Sequence, residues 1–188
     1  MLKHSFDIKK EYDALSPSLK VEILRCLQLR HFKKNAIILQ EGDVCDGVYF
    51  IRKGCCRTYL MSGAKDITTS VAIDNQLIFA TDSFLEQEES SEYIQAIEDT
   101  QCCFLSFEAY EDLLARNLEF NKFVRRVRDN YFINMASMLN SIRAQSALER
   151  YEYFMEEKPM FIQRVPLRYL ASFLGMSKET LSRMRSQI

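Results

Sequence analysis

Glycine is unevenly distributed along this 188-residue chain, and its distribution limits the folds that the chain can adopt. Four of the five glycines lie between Ala36 and Phe107. There, short runs rich in Val, Ile, Tyr, Phe, Thr and Cys are separated by turn residues such as Lys53-Gly54 and Ser62-Gly63. Strands separated this regularly by turns are typical of a β-sandwich or a barrel-like roll. We therefore expect a β-roll over this segment.

Helical sequence precedes the roll. Over residues 5–35, apolar side chains recur at helical spacing around a Ser16-Pro17 start, at Leu15, Leu19, Ile23, Leu24 and Leu27. The pattern predicts N-terminal helices. Together with the roll we expect them to make one domain over residues 1–107.

The spacing of apolar residues becomes helical between Glu108 and Ile142, where neither glycine nor proline occurs. A heptad-like seam runs through Phe120, Val124, Val127, Tyr131, Met135, Met138 and Ile142. Such a helix can pack on its own domain or against a second copy of the chain. A domain this small offers a long helix little apolar surface, so the spacing favours a dimerisation helix over residues 108–143.

The last segment, residues 144–188, predicts a helix-turn-helix. A helix over Ser146–Met155 ends at Glu157-Lys158-Pro159, and another opens at Val165-Pro166. Gly175 suits the corner, and Ser177 suits the N-cap of a final helix. Two short helices around a glycine-containing turn define this motif. Its small core would contain Leu170, Leu174, Met176, Leu181 and Met184, with Ala171 at the helix contact.

The final helix exposes groups that can contact DNA, and Arg164–Ile188 holds five Lys or Arg against one acid, Glu179. The candidate DNA-binding residues are Ser177, Lys178, Glu179, Thr180, Ser182, Arg183, Arg185 and Arg168. We expect Glu179 to accept from a cytosine amino group and Arg183 to bond guanine. Lys178 and Arg185 are expected to contact phosphates.

A family resemblance extends this prediction. Ser177, Lys178, Glu179, Thr180 and Arg183 match, position by position, the Ser-[Arg/Lys]-Glu-Thr-x-x-Arg pattern of the recognition helix in Crp/Fnr transcription regulators, relatives of the cyclic-AMP receptor protein. The run Ile38–Leu60 is similar to the first strands of a cyclic-nucleotide-binding roll. The resemblance implies an α+β fold with an N-terminal β-roll of jelly-roll type that serves as the sensor domain, a long dimerisation helix and a C-terminal helix-turn-helix domain.

The chain departs from the family pattern in two places. Where the family has a phosphate-binding cassette with glycine and arginine, Gln76–Thr100 contains no Gly, Lys or Arg but several acids, among them Glu86, Glu88, Glu89 and Glu92. A cyclic phosphate would be repelled there, so we expect no response to cyclic AMP. The family's β-hairpin wing is missing after Ile188, either naturally or by truncation, so phosphate contacts would come from Arg164, Arg168 or Arg185.

The cysteines and histidines favour neither a metal site nor a bound cofactor. Six cysteines include two adjacent pairs but no C-x-x-C, and neighbouring strand residues point to opposite faces. The first thirty residues hold a single cysteine, Cys26, which does not fit the iron–sulfur branch of the family. We expect buried reduced thiols.

These features predict a homodimeric, cytoplasmic, sequence-specific DNA-binding transcription regulator. The expected partners are double-stranded DNA, a second copy of the chain, RNA polymerase and an unidentified small-molecule effector, with no membrane. An alternative is a ligand-binding regulatory module whose helix-turn-helix is a protein-interaction surface. A cupin-like enzyme would need several histidines on its strands, and residues 36–107 contain none.

Overall fold

A computed structural model describes residues 7–186, with the side chain of Glu157 left out; the calls on residues 5, 6 and 188 lie outside this range. The N-terminal part contains α1 (Ile8–Asp13), α2 (Pro17–Cys26), β1 (Gln28–Phe32), β2 (Ile37–Leu39), β3 (Gly47–Lys53), β4 (Cys55–Ser62), β5 (Lys65–Ile73), β6 (Leu77–Ile78), α3 (Thr81–Glu86), β7 (Tyr93–Ala96) and β8 (Thr100–Ser106). The C-terminal part contains α4 (Phe107–Arg116), α5 (Leu118–Ala144), α6 (Ala147–Glu157), α7 (Pro159–Arg164), α8 (Leu167–Phe173) and α9 (Lys178–Arg185).

The strands form the expected roll from two four-stranded antiparallel sheets. One sheet has the order β1-β8-β3-β6 and the other β2-β7-β4-β5. Alternate side chains of both sheets meet in a core that includes Ile51, Ile94 and Phe104, all at most 1% exposed. This alternation of inward apolar residues is what a two-layer β-fold requires.

The helical prediction over residues 5–35 is wrong beyond Cys26. Residues from Gln28 to Phe32 form strand β1, which pairs antiparallel with β8 from Gln28↔Phe104 to Phe32↔Thr100. The partner strand lies about seventy residues away in sequence, so the strand depends on a long-range pairing that local spacing does not reveal. Before it, Ser16 caps α2 as expected, its hydroxyl accepting from the Leu19 amide.

The single long helix expected from Glu108 to Ile142 is divided at Asn117. The Asn117 side chain accepts hydrogen bonds from the amides of Glu119 and Phe120, which makes it the N-cap of α5. Helix α4 ends one residue earlier. The capping oxygen thus starts a new helix with its own axis, and α5 alone carries 27 residues, about 40 Å at 1.5 Å per residue.

The C-terminal segment has one helix more than the sequence indicated. Pro159, expected to end a helix, also starts α7 at its first position. Helix α6 begins at the predicted Ser146 with a capping box to Glu149, and α8 begins one residue after Pro166. Helices α6–α9 share one apolar cluster with the outer face of the sheet β2-β7-β4-β5, through Cys55, Val71 and Ile97.

The cysteine predictions can be compared with this packing. All six cysteines are free; Cys45, Cys55, Cys56 and Cys102 are buried, whereas Cys26 and Cys103 are partly exposed. The neighbours Cys55 and Cys56 lie in different clusters, one facing the C-terminal helices and the other the roll interior. Burial raises the pKa of the Cys56 thiol to about 12, so this group stays protonated at neutral pH.

Candidate nucleic-acid interface

Helices α8 and α9 form a helix-turn-helix with the corner at Gly175. Its φ of +68° is the left-handed conformation that glycine adopts without strain. The Met176 amide donates to the Ala171 carbonyl at 3.0 Å, closing the end of α8. Ser177 then caps α9, with its hydroxyl accepting from the Thr180 amide at 3.0 Å. These local bonds fix the angle between the two helices.

One face of α9 holds the helix in the module. Leu181 is fully buried and Met184 is 7% exposed, and both lie in the same cluster as Leu170 and Leu174, which have no exposed surface. Met176, which the sequence placed in this core, packs partly buried against it.

The opposite face of α9 is open to solvent. Lys178, Glu179, Ser182 and Arg183 are exposed and line a shallow groove together with Ser186. Bonds from its own amide and the Ser177 hydroxyl lower the pKa of Glu179, which is therefore ionised at neutral pH. The face thus offers carboxylate, hydroxyl, ammonium and guanidinium groups, the side-chain groups that read base edges and phosphates.

The three arginines proposed as phosphate contacts differ in their surroundings. Arg185 donates to the Ile162 carbonyl at 3.0 Å and to the Tyr151 hydroxyl at 3.3 Å, so it braces α9 against α6 and α7. Arg164 is ion-paired with Asp74 and Glu98 of the roll. The Arg164 guanidinium is therefore occupied within the chain, which corrects the expectation for it, whereas Arg185 is exposed and its phosphate contact stays a prediction. Arg168 is exposed and lies over the Tyr169 ring.

The segment expected to replace the nucleotide cassette contains α3 and β7. Glu86, Glu88 and Glu89 are exposed, and Glu92 is half-buried beside the Thr69 hydroxyl, where burial raises its pKa. Helix α5 contacts this segment, since the Thr81 and Tyr131 hydroxyls are 2.9 Å apart. The carboxylates make the segment negatively charged, which disfavours the binding of a phosphate anion.

The predicted dimer seam on α5 is partly turned toward its own chain. Phe120 is 2% exposed in the core with Leu15 and Leu113, so its assignment to a dimer surface is corrected. Val124, Val127, Tyr131 and Met138 are half-buried, and Met138 packs against the C-terminal cluster. The apolar side chains that α5 leaves exposed on one face are Phe132, Met135, Leu139 and Ile142, at 59, 52, 48 and 46%.

Residues 29–117 match the family model of the cyclic nucleotide-binding domain. The chain is 23% identical over 169 residues to the anaerobic regulatory protein of Pasteurella multocida (strain Pm70), covering 83% of this chain and 61% of that relative. It is 23% identical over 167 residues to the transcriptional activator protein Anr of Pseudomonas protegens, covering 82% of this chain and 68% of Anr. The chain thus spans about three fifths of the length of the first of these relatives.

Solved structures share the same architecture. FixK2 from Bradyrhizobium japonicum superimposes with a TM-score of 0.74 at 18% identity, over 86% of this chain and 83% of that one. A putative transcriptional regulator of the Crp/Fnr family from Eubacterium rectale superimposes with a TM-score of 0.69 at 19% identity, over 94% of this chain and 84% of that one. These likenesses confirm the predicted α+β architecture.

The roll, the family match and the following helices define a class: a cyclic-nucleotide-binding-type domain joined to a helix-turn-helix. Within that class, the chain resembles the Crp/Fnr transcription regulators, in agreement with the motif at Ser177–Arg183. The named relatives are regulators rather than enzymes. Over residues 7–186, no group of three or more His, Cys, Asp or Glu is arranged to hold a metal, and no helix is long and apolar enough to span a membrane.

Sequence reasoning missed one set of residues. Arg57, Tyr169 and Ser172 join the helix-turn-helix to the roll, with the Arg57 guanidinium 3.6 Å from the centre of the Tyr169 ring. An arginine in the middle of an apolar strand was the available signal, because a buried charge needs partners from elsewhere in the fold.

Proposed function

We propose that this protein is a homodimeric, sequence-specific DNA-binding transcription regulator that does not respond to cyclic AMP. The observation that carries the proposal is the two-sided character of α9. Leu181 and Met184 anchor one face, while Lys178, Glu179, Ser182 and Arg183 stand exposed on the other. Such a helix, rigidly held and polar outward, suits the major groove, with Arg183 bonding guanine and Glu179 accepting from cytosine. A regulator of this kind works on the chromosome, which places it in the cytoplasm.

The DNA-binding proposal is tested by selecting bound sites from random duplexes and titrating the recovered duplex at several salt concentrations. A palindromic site with half-sites about 10 base pairs apart, and a binding constant that falls with salt, are expected. Binding that does not distinguish the recovered duplex from a scrambled one would contradict sequence-specific recognition. The absence of salt-dependent binding to any duplex would favour the alternative in which the helix-turn-helix contacts protein.

Dimerisation is proposed through the exposed face of α5. Phe132, Met135, Leu139 and Ile142 are spaced by three, four and three residues, so they form a stripe along one side of the helix. A second copy related by two-fold symmetry would bury the same stripe on both chains. This surface supersedes the residues nearer Phe120 that face their own chain.

The matched variants are Leu139→Glu, on the stripe, and Ile133→Glu, which is 43% exposed on another side of α5. Sedimentation at micromolar concentration should show a dimer for the wild type and for Ile133→Glu, and a monomer for Leu139→Glu. A wild-type monomer, or equal dissociation in both variants, would refute the stripe as the interface.

Lack of response to cyclic nucleotide is supported by the charge of the cassette segment. Glu86, Glu88 and Glu89 project there, and residues 76–100 contain no Lys or Arg to bind a phosphodiester. Calorimetry with millimolar cyclic AMP should show no saturable heat, and micromolar binding would contradict the proposal. An effector of other chemistry and contact with RNA polymerase remain part of the proposal through the resemblance to regulators.

A further inference from the structure

The helix-turn-helix module is docked on the roll as well as tethered by α5. On the roll side, Cys55, Val71 and Ile97 contribute to the shared apolar cluster; on the module side it contains Tyr151, Phe154, Phe161, Ile162, Val165, Tyr169 and Leu170. This explains why β4 is buried on both of its faces from Cys55 to Tyr59. The module therefore has a defined position relative to the roll.

Polar contacts make this position specific. The Thr68 amide of β5 donates to the Ser172 hydroxyl of α8 at 2.9 Å. Arg57, 3% exposed, donates to Asp66 at 2.6 Å and to Thr68 at 3.1 Å, and its guanidinium lies against the rings of Tyr59 and Tyr169. Directional bonds of this kind have one good geometry, whereas an apolar contact alone tolerates sliding.

Arg164, at the end of α7, makes the densest set of these contacts. Its Nη2 is 2.5 Å from Glu98 Oε2 and its Nε 3.2 Å from Glu98 Oε1, a two-pronged pair. Its Nη1 donates to Asp74 Oδ2 at 2.9 Å, and Nη2 also donates to the Gly54 carbonyl at 2.7 Å. The Gly54 amide holds the other Asp74 oxygen at 2.8 Å, so the acceptors are fixed within the roll.

We propose that Arg164 is a positioning residue whose ion pairs with Glu98 and Asp74 lock the helix-turn-helix on the roll, so that a dimer presents its two recognition helices at one separation. The inference rests on the proposed function. Its consequence is selectivity for half-site spacing, because a rigid dimer engages both half-sites at full strength only when their separation matches its own.

The docked arrangement suits this role because it leaves the DNA-contacting face open. Lys178, Glu179, Ser182 and Arg183 are exposed while Arg164 is paired, so docking does not cover the groove that they line. Arg150, 8% exposed, donates to the Leu174 and Gln145 carbonyls and ties the connection between α5 and α6 to the same module. The ion pairs of Arg164 therefore act on helices that are tied to one another by hydrogen bonds of their own.

The test compares Glu98→Gln with a neighbouring control, Asp99→Asn. Glu98→Gln keeps the shape of the side chain but removes the charge that faces Arg164. Asp99 pairs with Lys33 at 3.4 Å and accepts from the Lys34 amide at 2.8 Å, contacts that stay within the roll. Both full-length variants are titrated with the duplex selected by the wild type, with duplexes whose spacer is one base pair shorter or longer, and with a single half-site.

The wild type and Asp99→Asn should prefer the selected spacing by about tenfold or more, since bivalent enhancement reaches about 10²–10⁴. Glu98→Gln should lose most of that preference and keep the affinity for a single half-site. Unchanged spacing preference in Glu98→Gln would overturn the inference, and so would tighter binding at all spacings, because the docked module would then oppose DNA binding. A wild type without sequence-specific binding would remove the proposed function and this inference with it.

A measurement without DNA distinguishes a failure of the proposed DNA-binding function from a failure of the inference about Arg164. The Thr68 amide is protected by a bond across the docking surface, so its hydrogen exchange reports whether the module is docked. Exchange there should quicken in Glu98→Gln and stay as in the wild type in Asp99→Asn, with both variants melting cooperatively. Equal hydrogen exchange in the two variants would overturn the proposed role of Arg164, whatever the DNA titrations show.

Discussion

Arg183 and Arg185 are two residues apart on α9, and their surroundings predict different effects of removal. Arg183 is exposed on the open face, and within residues 7–186 its side chain has no hydrogen bond or ion pair to the rest of the chain. Arg185 donates to the Ile162 carbonyl and the Tyr151 hydroxyl. Alanine at position 183 should therefore weaken DNA binding, and alanine at position 185 should weaken the module itself.

The magnitudes follow from these contacts. Arg183→Ala removes the proposed base contact, worth about 1–3 kcal/mol of binding free energy, while an exposed substitution of this kind changes the free energy of unfolding by less than about 0.5 kcal/mol. Arg185→Ala removes two hydrogen bonds at an exposed position and leaves the Tyr151 hydroxyl, on a residue 3% exposed, without this donor. We expect a loss of about 1–2 kcal/mol in the free energy of unfolding.

The assay measures both quantities on both variants. Urea unfolding gives the change in stability, and titration with the selected duplex and with a random duplex at several salt concentrations gives affinity, specificity and salt slope. Arg183→Ala should relax the preference at one base pair in each half-site with normal unfolding. Arg185→Ala should unfold at lower urea and, once folded fraction is taken into account, keep its sequence preference.

Each variant has a result that would contradict its prediction. Normal stability in Arg185→Ala, together with a reduced salt slope on every duplex, would mean that its side chain leaves Ile162 and contacts phosphate. Equal loss of specific and random binding in Arg183→Ala would mean that this residue does not read a base.

Three further predictions concern stability. Burial alone would raise the pKa of Asp74, but hydrogen bonds from Arg164 and Gly54 lower it below the ordinary 3.8. The stabilising effect of this carboxylate is therefore complete above pH 3.8 and is lost as the pH falls through the pKa of the folded state. Asp74→Asn should flatten this part of an acid unfolding curve, and an unchanged curve would contradict the prediction. Burial raises the pKa of Glu92, which means that its charged form destabilises the folded protein. Glu92→Gln should therefore raise the melting temperature at pH 8, and this gain should vanish near pH 4.5, where the carboxyl becomes protonated. A gain that does not depend on pH would argue against charge as the cause. Leu174→Ala, at a site with no exposed surface, should cost about 2–5 kcal/mol in urea unfolding of the module, and a smaller loss would mean that the core closes around the cavity.

The features that the sequence predicted well are those with local causes. Ser177 caps α9 because its hydroxyl reaches an amide three residues ahead, and Gly175 turns because it lacks a Cβ, so both can be inferred from the residues themselves. The roll follows in the same way from short runs of strand-forming residues separated by turn residues. The exposed face of α9 could also be predicted, since the buried residues Leu181 and Met184 recur at helical spacing on the opposite face.

The errors arose where distant contacts decide the outcome. β1 exists because β8 pairs with it, and Arg164 is occupied within the chain because Asp74 and Glu98 of the roll lie within reach. On α5, the Phe120 end of the predicted seam packs against Leu15, Leu19 and Leu113 of its own chain. Met135 and Ile142 of the same seam are exposed together with Leu139. Asn117 is the exception, because its capping signature is local and could have been recognised ahead of Glu119.

The two-sided burial of β4 has a consequence for dividing this chain into pieces. The segment that matches the domain model ends at residue 117, before the helices that cover Cys55, Val71 and Ile97. A fragment cut there would expose this apolar patch to water. It would also expose the Arg57 guanidinium, because the Tyr169 ring that covers it would be missing. Such a fragment would self-associate through that patch, so the boundary that marks the domain in sequence is a poor place to cut the protein for solution work.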